Sequence, residues 1–162
     1  MFGKGYMLAT IILSVAACTP SETLTESESV EIVREAKATL DNYYDDIRKE
    51  GLNAEFKYLD NSSEFFWVPP GYAIPLSYDS VTKILNQNAP LFKSVDNSFD
   101  TITIVPMSKE LATYSGRLKS ILTDTSGTVT TFSLIETGIL VKRKDGWKLL
   151  SGQTSMLPTN SQ

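Results

Sequence analysis

The chain holds no histidine and one cysteine, so the side chains that most often move protons, hold metals or attack carbonyls are nearly absent. Histidine is the side chain whose ordinary pKa lies nearest neutrality, and it is the commonest metal ligand. Without it, proton transfer falls to a carboxylate or phenol whose pKa the fold has moved. Glu136 is the foremost candidate. It stands between Ile135 and Thr137, and a carboxylate in an apolar pocket has a raised pKa and can act as a general base. The competing reading is that Glu136 faces solvent, and alternation does not decide, because apolar residues occupy both phases around it. Tyr43 and Tyr44 fall on the first helix, where core packing is the expected role. Asp60, in Asp60-Asn61-Ser62-Ser63, reads as a turn former. No metal site is expected, since zinc would have to be held by carboxylates alone, and no cofactor is expected either.

Cys18 carries a different signature. Leu13-Ser14-Val15-Ala16-Ala17-Cys18 resembles the lipobox of bacterial lipoproteins, in which the cysteine is acylated and becomes the mature first residue. Lys4 and the amino terminus form a weakly positive start, followed by an apolar run from Tyr6 to Ala17. That run is short of the ~20 apolar residues that span a bilayer. An ordinary secretory signal with an incidental cysteine is the alternative. One acyl chain holds a protein marginally and two membrane signals hold it stably, so a multiply acylated (palmitate-type) cysteine implies permanent attachment in the cell envelope. Thr19 in place of an aspartate resembles sorting to the outer membrane, facing the periplasm, in a Gram-negative host. The organisation expected is a signal peptide over 1–17, a lipidated tether over 18–28, one domain over 29–158 and a polar tail over 159–162. The tether is rich in Ser, Thr and Glu, a composition that buries too little apolar surface to fold. With Cys18 acylated, no cysteine is left for an intramolecular disulfide, and the core alone must hold the domain.

The chain carries 15 Lys and Arg against 19 Asp and Glu, and no basic patch with interleaved aromatics, which argues against nucleic acid as a partner. The first element is a helix with Val30, Val33, Leu40, Tyr44 and Ile47 on its stripe, capped by Ser27 or Ser29 and ended by Gly51. A short helix is expected over Ala54 to Leu59. Glu64 to Val68 reads as an aromatic strand broken by Pro69-Pro70-Gly71, with Tyr72 to Leu76 as its hairpin partner. Ser80 to Asn88 reads as a helix with Val81, Ile84 and Leu85 inward and Ser77 or Asp79 at its cap. Strands follow over Phe99 to Met107, Leu111 to Thr123, Val129 to Lys144 and Trp147 to Ser155, with a hairpin at Asp145-Gly146. Helices followed by strands indicate α+β with an antiparallel sheet.

This order, with Phe65-Phe66-Trp67-Val68-Pro69-Pro70-Gly71 and Val141-Lys142-Arg143-Lys144-Asp145-Gly146-Trp147-Lys148-Leu149-Leu150, resembles the nuclear transport factor 2-like superfamily, and within it the SnoaL-like and ketosteroid-isomerase-like branch. The resemblance implies a cone: a curved antiparallel sheet packed on N-terminal helices, with a pocket at the open end. It does not imply a function, since such folds host isomerases, cyclases, dehydratases and binding modules. The isomerase aspartate before the proline corresponds here to Val68, which cannot abstract a proton. The His-x-His pair of many SnoaL-like proteins corresponds to Ser151-Gly152-Gln153, which can hydrogen-bond a ligand but offers no base. Tyr43 and Tyr44 fall on the helix where isomerases place an oxyanion-stabilising tyrosine. Trp67, Tyr72 and Tyr78 would line the mouth if the Pro-Pro-Gly corner rims the cone; core packing is the alternative for Trp67 and is preferred for Trp147.

Three readings follow. The first is non-catalytic binding of a small apolar ligand or a protein partner, through Trp67, Tyr72, Tyr44, Ser151 and Gln153. The second is an isomerase, cyclase or dehydratase using Glu136 as base. The third is a homodimer through the outer face of the sheet, with Thr128 to Thr131, Ile139 and Val141.

Overall fold

The computed structural model describes residues 23–158, so Cys18 and the segments 1–17 and 159–162 lie outside the described residues. Helix α1 spans Glu26–Glu50 and begins inside the stretch read as tether. The reason is a capping box: the Glu28 amide donates to Thr25 Oγ1, and the Thr25 amide donates to the Glu28 carboxylate at 2.9 Å. Its buried residues are Ile32, Ala36, Leu40, Tyr43, Tyr44 and Ile47. Val30 is exposed, which corrects the expected phase at the helix start. It sits two residues from Ile32, about 200° round the helix axis. Gly51 stops the helix at φ 87°, a backbone conformation open to glycine, and its N–H reaches the Ile47 carbonyl.

A 3-10 helix over Leu52–Lys57 leads to β1, Phe66–Val68. Tyr72 to Leu76 does not form the expected hairpin strand. Trp67 and Leu76 make one isolated bridge, because prolines at 69, 70 and 75 remove the donors a ladder needs. Strand β1 instead lies parallel to the last strand. Helix α2, Tyr78–Asn88, is capped by Ser77. Four long strands complete the sheet: β2 Phe92–Pro106, β3 Leu111–Asp124, β4 Val129–Arg143 and β5 Gly146–Met156, in the order β1-β5-β4-β3-β2. Strand β2 starts at Phe92 rather than Phe99. Its first part is polar in sequence, yet its register with β3 is continuous from Ser94 to Phe99.

Helix α1 lies across β2, β3 and β5 and closes the concave face. Glycines in the strands, Gly116 under Phe99 among them, let aromatic rings lie directly on the sheet. A Cβ on Gly138 would stand 2.8 Å from the Tyr114 ring, and one on Gly152 would stand 2.6 Å from the Trp67 ring. Near the β4–β5 hairpin the core is dense: Ala36, Leu40, Leu140, Trp147 and Leu149 are buried together. There Trp147 Nε1 donates to Glu35 at 2.8 Å, and Arg143 donates twice to the buried Asp60 at 2.8 and 2.7 Å. Asp60 is thus an ion-paired core residue as well as the start of the turn. On the convex face Ile135, Ile139 and Val129 are exposed, but Val141 is buried and cannot belong to an outer surface. Among the described residues no helix is long and apolar enough to cross a membrane.

Candidate functional site

A cavity of about 310 Å³ opens between α1, α2, the 3-10 helix and the inner face of the sheet. Val81, Ile84 and Leu85 of α2 form one wall, Leu118, Leu122 and Leu134 of the sheet form another, and the Trp67 ring lies along a third. Pro70, itself exposed, stands at the rim.

The polar groups are few and specific. Strand β4 turns Leu134, Glu136, Gly138 and Leu140 inward, which leaves Ile135 exposed and Glu136 only 5% exposed. Glu136 Oε1 accepts from Tyr44 Oη at 2.7 Å and from Tyr114 Oη at 2.9 Å. Its Oε2 accepts from Thr154 Oγ1 at 3.0 Å, and that hydroxyl in turn accepts from Trp67 Nε1 at 3.3 Å. Four elements therefore meet at one carboxylate: α1, β3, β5 and, through Thr154, β1. Glu55 is the second acid of the cavity and accepts from Tyr43 Oη at 2.9 Å. On the sheet wall Asn97 of β2 and Ser120 of β3 stand opposite each other in register, both lining the cavity. The Asn97 Oδ1 is buried without a hydrogen-bond partner.

Burial drives the electrostatics. It raises the Glu136 carboxyl above its ordinary value, and the three hydroxyl donors partly oppose that rise. Burial also raises Glu55 to about 7, with the Tyr43 hydroxyl opposing and the Glu136 charge adding to the rise. Tyr43, Tyr44 and Tyr114 are pushed well above the ordinary phenol value, by burial first and neighbouring carboxylates second, so each stays a proton donor. Among the described residues no three acidic, cysteine or histidine side chains are grouped to hold a metal ion.

Of the residues singled out from the sequence, Glu136, Tyr43, Tyr44 and Trp67 come together in this cavity. Ser151 and Gln153 do not; they lie on the opposite face, in a shallow groove with Phe66, Val68 and Ile139. The cause is a bulge in β5, where the pairing jumps from Leu140↔Leu149 to Ile139↔Ser151. One extra residue reverses which side chains face inward, so Thr154 takes the place that spacing gave to Ser151 or Gln153. Tyr72 is exposed and outside the cavity lining, and Tyr78 packs edge-on against the buried Phe65 rather than at the mouth. Sequence reading missed Glu55, Asn97, Ser120, Tyr114 and Thr154. Tyr114 had a signal, since Ala112, Tyr114, Gly116, Leu118 and Ser120 alternate cleanly inward.

No protein-family model matches the sequence, and no curated protein matches it. Many solved structures share its fold. A scytalone dehydratase candidate from Novosphingobium aromaticivorans superposes with a TM-score of 0.74 at 12% identity, covering 85% of this chain and 92% of its own. A nuclear transport factor 2-like superfamily protein from Salmonella enterica serovar Typhimurium gives 0.69 at 12% identity, covering 82% and 95%. A type 2 hexachlorocyclohexane dehydrochlorinase gives 0.66 at 8% identity, covering 85% and 95%. Identities of this size speak for architecture alone. The domain has the nuclear transport factor 2-like cone fold.

Proposed function

We propose that the cone is a binding module for a small, mostly apolar ligand, held at the cell envelope by lipid on Cys18. The observation that carries the pocket reading is the cavity itself. It is walled by aliphatic and aromatic side chains and has a few convergent polar groups, the usual composition of a small-molecule site. Glu136 fits a structural acid better than a base, since three hydroxyl donors occupy most of its roughly four acceptor positions. The anchor rests on the lipobox-like residues before Cys18. The test is mass spectrometry of the full chain purified natively from membranes, which should show an acylated Cys18 amino terminus and a co-purifying small molecule. A protein recovered repeatedly without any bound molecule counts against the pocket reading.

One observation favours a second reading, an enzyme of the isomerase or dehydratase type. Glu55, with a pKa of about 7 and a tyrosine on one oxygen, is a better poised base than Glu136. Such an enzyme would exchange a ligand C–H proton with deuterated solvent, and Glu55→Gln would abolish the exchange. A recovered ligand that takes up no deuterium leaves the binding module as the function.

A further inference from the structure

We infer that the ligand is an organic ammonium ion on a compact apolar body. This deepens the pocket reading and rests on it. The cavity is lined by two carboxylates and by no lysine, arginine or histidine. Glu35 and Asp60, elsewhere in the domain, each have a basic side chain on them. Glu55 and Glu136 have only hydroxyl partners, and the Glu136 charge adds to the cost of a charge on Glu55. A buried charge without a counter-ion is costly, and a ligand that brings the missing cation recovers that cost.

Two independent features agree. Asn97 Oδ1 is a buried acceptor with no donor on the sheet wall of the cavity, a second acceptor there that a ligand donor could satisfy. The rings of Tyr43, Tyr44, Trp67 and Phe92 all line the space, and aromatic faces attract ammonium groups. A carboxylate or phosphate ligand would meet acceptors and like charge. A neutral alcohol could satisfy one acceptor but would bring no cation to the two carboxylates. The volume, about 310 Å³, sits at the small end of ligand pockets and suits one ring with a short amine arm.

Three probes of matched shape decide the matter: phenethylamine, phenethyl alcohol and 3-phenylpropanoate, titrated into the full chain at pH 8 and followed by NMR at the Trp67 indole and the Ile84 methyls. The ammonium should bind at least about tenfold tighter than the alcohol, with the carboxylate weakest. Glu55→Gln and, separately, Glu136→Gln should each shrink the ammonium preference over the alcohol to below about threefold. Equal or tighter binding of the alcohol or the carboxylate overturns the ammonium inference and leaves the pocket reading standing, as does an undiminished preference in both glutamine variants. If none of the three probes moves either reporter, the pocket reading itself falls and takes the inference with it.

Discussion

Near the β4–β5 hairpin, two acids are covered by the fold together with a base. Asp60 is held by Arg143, and Glu35 by Lys142 and the Trp147 indole; both carboxyls lie below their ordinary range for that reason. In the cavity the same fold covers two more acids and gives them only hydroxyls, so both lie above it. The hairpin acids are fastenings whose cost and compensation both lie inside the chain. The cavity acids carry a cost that the chain leaves uncompensated, and such groups cluster where proteins bind or react. The difference separates the part of the cone that holds itself together from the part prepared for something else.

The sharpest way to expose that difference is pH. Glu55 has an ordinary value of 4.5 and rises to about 7 in the fold. Between those values the folded chain binds more protons than the unfolded one, so stability falls as pH rises through this window. The contribution is fully present below about pH 4.5 and gone above about pH 7, a change on the order of 3 kcal/mol. Glu136 acts in the same direction. Asp60 and Glu35 act oppositely: their stabilisation is present above the ordinary carboxylate range and is lost as pH falls through their lowered values. Urea denaturation at a series of pH values should show stability declining from pH 5 to pH 7.5, and Glu55→Gln should flatten the decline. An unchanged slope in that variant would mean that Glu55 is not the source of the decline.

The second contrast comes from removing a partner. Arg143→Met leaves Asp60 buried without its cation and is expected to lower the urea midpoint clearly. Glu136→Gln strands no cation and should cost less than about 1 kcal/mol, since the amide oxygen still accepts from a tyrosine. Urea midpoints at pH 7 compare the two directly. Equal losses would mean that Glu136 is as firmly built into the fold as Asp60.

The two regions also differed in how far the sequence disclosed them. The hairpin end is written locally: Asp145-Gly146 marks the turn, Trp147 and Leu149 alternate inward, and the resemblance covers this stretch. The cavity is assembled from residues far apart in sequence, with Tyr44 and Glu136 separated by 92 positions. Alternation named Glu136 as a candidate but could not choose its face, because Ile135 on the outer phase is equally apolar. The bulge after Leu149 has no sequence marker, and without it Ser151 and Gln153 rather than Thr154 point inward. Glu55 sits in a 3-10 turn whose period matches neither strand nor α-helix. The polar opening of β2 hid Asn97 for a related reason: a strand that turns polar groups toward a cavity does not look like a buried strand.

Removing a single hydroxyl tests whether the cavity network is one unit. Thr154 links Trp67 to Glu136, donating to one and accepting from the other. Thr154→Val keeps the shape, removes that hydroxyl, leaves the Trp67 N–H without its acceptor and takes one donor from Glu136. The cost should be about 1 kcal/mol. Glu136 would rise further above its ordinary value, since a donor that opposes the rise is gone. The chain has two tryptophans, and Trp147 is fixed to Glu35 outside the cavity. With fluorinated tryptophan, the ¹⁹F resonance of Trp67 should therefore move and that of Trp147 should stay. Thr154→Ser, which keeps the hydroxyl and drops the methyl, should hold Trp67 in place. A shift of equal size in both variants would mean that packing against Gly152, rather than the hydroxyl chain, ties Trp67 to the cavity, and would separate the aromatic wall from the carboxylate beneath it.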